Sequence, residues 1–87
     1  MIDGKLSLIL PAHNEEPNIE YVVRQALEVL PTLFRDYEVI PVDDGSHDRT
    51  GEIIDALAAE DSHVRPQHHP KNRGYGAALT TGFDAAT

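Results

Sequence analysis

The sequence predicts an α/β fold, a parallel half-sheet whose elements run in the order βαβαβα. Short apolar runs alternate with segments whose apolar residues recur every three or four positions, the signature of strands alternating with helices. Prolines and glycines fall near the joins. A polar loop follows each strand-like run. Such alternation implies a parallel sheet covered by helices on both faces. Right-handed crossovers make three such units half of a doubly wound fold, with an open sheet edge after the third helix.

The elements follow in order. Leu6-Ser7-Leu8-Ile9-Leu10 reads as a buried strand ended by Pro11, which lacks the N–H that a central strand uses. Asn14 is placed to cap the next helix, and Pro17 suits its first turn. Ile19, Val22, Val23, Ala26, Leu27 and Leu30 form one apolar helix face, which Pro31 should stop. Leu33 and Phe34 are expected to pack the following turn against that face. Residues 37–42 read as the second strand, although Pro41 removes one ladder hydrogen bond. Asp43-Asp44-Gly45-Ser46 has the composition of a turn, with Ser46 or Asp48 available to cap the second helix. Ile53, Ile54, Leu57 and Ala58 give that helix its buried side. The third strand, around residues 64–68, is weakly marked because Pro66 and Gln67 interrupt it. From Ala77, residues Ala78, Leu79, Gly82, Phe83 and Ala86 resume helical spacing.

Composition narrows the function. Among 87 residues, Lys and Arg total 7 against 15 Asp and Glu, for a net charge of -8. That balance argues against a nucleic-acid partner, which requires clustered cations. Residues 43–61 hold seven acids and one base, whereas residues 65–76 hold three bases and no acid. The second stretch suffices for a diphosphate. Cysteine is absent, which excludes disulfides and thiolate metal sites. No apolar run approaches the roughly 20 residues that span a bilayer.

In an open α/β sheet, ligands bind beyond the carboxyl ends of the strands. Three segments fall there: His13-Asn14-Glu15-Glu16, Asp43-Asp44-Gly45-Ser46 and Asn72-Arg73-Gly74. Carboxylates can accept hydrogen bonds from a base and ribose, and the third segment brings a cation for phosphate. Glu15 and Glu16 also suit a first helical turn, where they offset the helix dipole. Two adjacent carboxylates repel, and a turn needs only one, so one of Asp43 and Asp44 is expected to face a ligand. Gly74-Tyr75-Gly76 is not the dinucleotide fingerprint: it follows the wrong strand, and Leu79 holds the last position. The first loop has no glycine, which speaks against a dinucleotide-dependent oxidoreductase. Gly74 and Gly76 serve a tight turn or a close approach to ligand. The histidines read as polar surface or loop residues, and His68 and His69 as strand neighbours face opposite ways. A non-catalytic α/β domain that binds a nucleotide or a protein remains the alternative to an enzyme.

The three loops together resemble family 2 glycosyltransferases of the GT-A fold, especially the branch similar to dolichyl-phosphate or polyprenyl-phosphate sugar synthases. The resemblance rests on residues 8–16, 37–50 and 72–79 with Gly82, and so covers nearly the whole chain. It implies that residues 1–87 are the Rossmann-like N-terminal, nucleotide-binding portion of a GT-A nucleotide-diphospho-sugar transferase fold. By the same resemblance Pro11, Ala12 and Glu15, with Asn14 in the same loop, line the nucleotide pocket. Asp43 meets the base, Asp44 holds the turn, and Arg73 and Gly74 close over the nucleotide. Pro41 and His47 depart from the family pattern, which has a β-branched residue and a threonine there. The resemblance further implies a nucleotide-sugar donor, a divalent cation (Mg2+ or Mn2+) in the complete enzyme, and inverting displacement. The acceptor is expected to be a polyprenyl or dolichyl phosphate, with a saccharide as second choice. The site would lie in the cytoplasm or at the cytoplasmic face of a membrane. The metal-binding Asp-x-Asp and the acidic base are expected beyond Thr87, so residues 1–87 alone are expected to be inactive, with no catalytic or metal residue of their own. Their exposed sheet edge is expected to allow self-association.

Overall fold

A computed structural model describes residues 2–87. The elements are β1 (Ile2–Ala12), α1 (Ile19–Leu33), β2 (Phe34–Asp44), α2 (Thr50–Glu60), β3 (Gln67–His69) and α3 (Tyr75–Ala85). The strands form one parallel sheet in the order β1-β2-β3. The α/β class and the βαβαβα order are those that the sequence predicts.

Both long strands outrun their predicted ends. β1 continues through Pro11 to Ala12, so Pro11 does not end it. The reason is position: β1 has a hydrogen-bonded neighbour on one side only, and an edge strand tolerates a residue without an N–H. β2 takes in Asp43 and Asp44, which pair with His68 and His69 instead of forming the turn themselves. The third strand is short for a reason written in two prolines. Val39 bridges Val64 and Val42 pairs with Gln67 in one shared register, which sets Pro41 opposite Pro66. The Val39 N–H donates to the His63 carbonyl at 2.8 Å, and its own carbonyl accepts the Arg65 N–H at 2.8 Å. Two residues on, Pro41 faces the same way and has no N–H to give.

The helices follow their apolar faces with several corrections. Ile19, Val23 and Leu30 are buried in α1, but Pro31 lies inside the helix instead of stopping it. Its missing N–H falls in the last turn, which the Phe34 N–H closes onto the Leu30 carbonyl. Leu33 stays half exposed, and Phe34 already belongs to β2. Asn14 does not cap α1, whose first residue follows Asn18. At the start of α2, Asp48 Oδ1 accepts the Thr50 N–H at 3.0 Å, whereas Ser46 has another partner. Ile54 and Leu57 are the buried residues of α2, with Ile53 and Ala58 packed beside them. α3 begins at Tyr75, two residues before the predicted start, and buries Ala78 and Gly82. Phe83 is 70% exposed despite its helical spacing, because Ala85 and Ala86 take the packed positions.

Two apolar layers sandwich the sheet. Ala12, Ile19, Val23, Ile54, Leu57 and Val64 form one, under α1 and α2. Ile40, Val42 and Ala78 form the other, under α3, with Ile9 beside them. Because α3 leaves β3 and returns across β2 and β1 on the opposite face, the chain reverses its winding direction there. In doubly wound sheets such a reversal marks the ligand crevice. Among the described residues no helix is long and apolar enough to cross a membrane.

Candidate functional site

A cavity of about 320 Å³ opens at the carboxyl ends of the strands, lined by Pro11, Ala12, His13, Glu15, Asp44, Asn72, Gly74, Tyr75 and Ala78. It lies near the lower end of the roughly 300–1,000 Å³ typical of ligand pockets, which is room for part of a nucleotide sugar. Of the residues nominated from sequence, Pro11, Ala12, Glu15, Asp44 and Gly74 meet there. Asn14, Asp43 and Arg73 lie outside the lining.

The first loop is laced to the second. The Asn14 N–H donates to Ser46 Oγ at 2.9 Å, and Asn14 Oδ1 accepts the His47 N–H at 2.8 Å. The Glu15 N–H donates to Thr50 Oγ1 at 2.9 Å and the Glu16 N–H to Asp48 Oδ2 at 3.1 Å. Glu16 Oε1 accepts the Arg49 N–H at 3.0 Å in return. Asn14 makes the exchange possible with a left-handed backbone (φ 52), which asparagine tolerates better than most residues. Asn14 and Glu16 therefore brace the loops, while Glu15, whose side chain makes no such bond among the described residues, lines the cavity. His13 donates Nδ1–H to the Asp44 carbonyl at 2.8 Å, and its Nε2 lies 3.4 Å from Asn14 Nδ2.

The adjacent carboxylates avoid each other by strand alternation, which sends neighbours to opposite faces. Asp43 points to the α2 face. Its Oδ1 accepts the Ser46 N–H at 3.0 Å, and its Oδ2 lies 3.2 Å from His68 Nδ1. Asp44 points to the α3 face and carries the third loop: Oδ1 accepts the Arg73 N–H at 2.8 Å, and Oδ2 accepts the Gly74 N–H at 2.9 Å. So Asp43 accepts from the turn at Ser46 and Asp44 lines the cavity, where the family resemblance implies a base contact for Asp43 and the turn for Asp44. Burial alone would raise the Asp44 pKa, but the His69 side chain and the Arg73 and Gly74 N–H groups outweigh it and hold the carboxyl below its ordinary value.

Two glycines let these segments meet. Gly45 has φ 67, and a Cβ there would stand 2.2 Å from the backbone of Lys71 and Asn72. Gly74 has φ 97 at the cap of α3, a conformation that fits glycine and brings its N–H to Asp44. The α3 N-terminus already faces an anion, Asp44, while Lys71 and Arg73 stay exposed on the third loop.

Both strand-end histidines are built in, not loose in loops. His69 is buried, with Nδ1 2.7 Å from Asp44 Oδ1 and Nε2 2.7 Å from Thr81 Oγ1. His68 reaches Asp43 and, at 2.8 Å, Asp55 Oδ1. Burial would lower the His68 pKa, but its hydrogen bonds to the Asp55 and Asp43 carboxylates raise it overall, since the ring can donate at both nitrogens only as imidazolium. A readable signal existed: two carboxylates directly follow one predicted strand, and two imidazoles straddle the end of the next. Among the described residues no three His, Asp or Glu side chains are grouped to hold a metal ion. Asp43 and Asp44, each already accepting backbone N–H groups, do not fit that task.

Fold and site together define the class, a half of a doubly wound α/β sheet with a polar cavity at its switch point. The sequence profile of glycosyl transferase family 2 matches residues 7–87, and the chain belongs to that family. It is 43% identical over 84 residues to the glycosyltransferase AglD of Haloferax volcanii, covering 94% of this chain and 14% of that protein. It is 35% identical over 80 residues to an undecaprenyl-phosphate 4-deoxy-4-formamido-L-arabinose transferase of Shewanella sediminis, covering 91% and 24%. Among solved structures it is similar to the mannosyltransferase PcManGT of Pyrobaculum calidifontis in complex with GDP-Man and Mn2+. That match has a TM-score of 0.82 and 28% identity, and covers 94% of this chain and 24% of the other. The chain thus spans 14% to 24% of the length of these relatives.

Proposed function

We propose that residues 1–87 form the donor-binding part of a glycosyltransferase that moves a sugar from a nucleotide sugar to a polyprenyl or dolichyl phosphate. The observation that carries this reading is the cavity at the strand ends, where the first loop, Asp44 and the third loop converge. Pro11 and Ala12 supply an apolar wall for the flat face of a base, and the Glu15 carboxylate accepts base or ribose donors. Lys71 and Arg73, exposed on the third loop, attract the diphosphate and stabilise the charge that grows on it as the glycosidic bond breaks. An acceptor oxygen attacking from the opposite side inverts the anomeric centre. Asn14 and Asp43 act from behind the cavity by fixing the loops. The relatives' names motivate the lipid-phosphate acceptor and the nucleotide-sugar donor, and a membrane's cytoplasmic face is the place where the two would meet. The family resemblance, rather than anything in these residues, assigns the ligands of a divalent cation and the catalytic base to the longer protein.

The test is calorimetric titration of the full-length protein with GDP- and UDP-sugars, followed by a transfer assay with polyprenyl phosphate. Glu15→Ala should weaken donor binding about tenfold, the loss of one charge-assisted hydrogen bond of roughly 1.4 kcal/mol. Unchanged donor affinity in a folded variant would remove Glu15 from the site. No uptake of either donor class by the wild type would remove the reading itself.

A further inference from the structure

Resting on the reading of the cavity as the donor site, we propose that His69 is a positioning residue: it holds the Asp44 carboxylate in the orientation that clasps the third loop over the nucleotide. His69 ends β3, is 6% exposed, and does not line the cavity. The Asp44 carboxylate only accepts, so Nδ1 carries a proton and donates to Oδ1; Nε2 meets the Thr81 hydroxyl, which can donate or accept. Asp44 passes the constraint on, because the same carboxylate accepts the Arg73 and Gly74 N–H groups at 2.8 and 2.9 Å. A continuous chain of bonds thus runs from the middle of α3 through the ends of β3 and β2 to the first residue before α3. Each of its polar atoms is buried or partly buried, where an unmet partner is costly. Among the described residues His69 is the only side chain that donates to Asp44, so it decides which way that carboxylate turns and how firmly residues 71–74 stay closed.

Three variants of the full-length protein test this. His69→Asn places an amide nitrogen near the former Nδ1 and keeps the donor to Asp44. His69→Gln reaches instead toward Thr81 and leaves Asp44 without it. Thr81→Val keeps the imidazole and removes its second anchor. The first readout needs no ligand: hydrogen exchange at the Arg73 and Gly74 amides should quicken about tenfold in His69→Gln and stay within about threefold of wild type in His69→Asn. Thr81→Val should shift both amides in the same direction by less. The amides of Asn14 and Glu15 should keep their wild-type rates. The second readout is calorimetric titration with GDP and with UDP, where Kd should rise about tenfold in His69→Gln and recover in His69→Asn. Wild-type exchange at Arg73 and Gly74 in His69→Gln would overturn the proposal. So would equal damage by His69→Gln and His69→Asn with protection lost across the whole sheet, the mark of a packing role. If His69→Gln does not fold, Thr81→Val decides by the same two amides. Should the exchange respond while the wild type takes up neither nucleotide, the loop clasp stands and the donor-site reading falls.

Discussion

At the scale of single residues, the Asp43-Asp44 pair shows how alternation divides labour between neighbours. One carboxylate serves the turn and α2, the other serves the third loop and the cavity. Asp44→Asn leaves one acceptor oxygen and turns an NH2 toward a backbone N–H, donor against donor. Nucleotide affinity of the full-length protein should then fall about tenfold, near 1.4 kcal/mol. Asp43→Asn can still accept the Ser46 N–H, and its loss should stay within about threefold. Calorimetric titration ranks the two, and the opposite order would return the base contact to Asp43. His68 gives a pH signature. Its pKa is raised above 6.5 in the folded protein by Asp55 and Asp43. The stability it contributes is therefore complete below about pH 6.5 and is lost as the pH rises through the folded value. Denaturation of wild type and His68→Gln should show a gap at pH 6 that narrows at pH 9.

At the scale of elements, the prolines decide where the sheet holds. Pro41 and Pro66 meet across β2 and the approach to β3, so the ladder lacks a rung between Val39 and Val42. Pro41 is fully buried, and valine is close to it in volume and well suited to a strand. Pro41→Val supplies an N–H directed at the Arg65 carbonyl. It should stabilise the protein by about 0.5–1.5 kcal/mol, the net worth of one hydrogen bond. A chemical denaturation midpoint that stays put or falls would mean that the backbone there cannot close the rung. Pro31 makes the complementary point. Near the carboxyl end of α1 it deprives the Leu27 carbonyl of its usual donor, yet the helix still closes through the Phe34 N–H onto the Leu30 carbonyl.

At the scale of the whole molecule, one buried carboxylate ties the amino half of the sheet to the end of α3. Glu38 on β2 accepts Ser7 Oγ at 2.5 Å, Arg65 Nη1 at 2.7 Å and the Thr87 N–H at 3.0 Å. Burial pushes its pKa up, but Ser7, Arg65, Thr87 and Lys5 outweigh burial and hold it down at about 2, against an ordinary 4.5. Its contribution to stability is full above pH 4.5 and disappears as the pH falls through 2. The stability gap between wild type and Glu38→Gln should accordingly be flat from pH 7 to 5 and close toward pH 2. A gap independent of pH would show that shape, not charge, is what Glu38 supplies. The open side of β1 has a different consequence. Unpaired strand edges recruit other chains, and β1 presents eleven residues on one. Purified residues 1–87 should associate in a concentration-dependent manner by sedimentation and show no sugar transfer. A monomer at all concentrations would mean that the edge is blunted by its own side chains.

The sequence by itself determined the class and order of the elements, because hydrophobic period and proline placement are local properties of the chain. It also determined the family and the three loops of the site, since strand ends in a parallel sheet must lie at one edge. Only the tertiary structure decided which carboxylate faces the cavity, because that depends on the strand running two residues past its predicted end. It alone braced Asn14 against the second loop, buried His69 between Asp44 and Thr81, and set Pro41 opposite Pro66. These are matters of register and facing between residues 12 to 33 positions apart, and a register is fixed by the packing of both helical layers on the sheet rather than by any one segment.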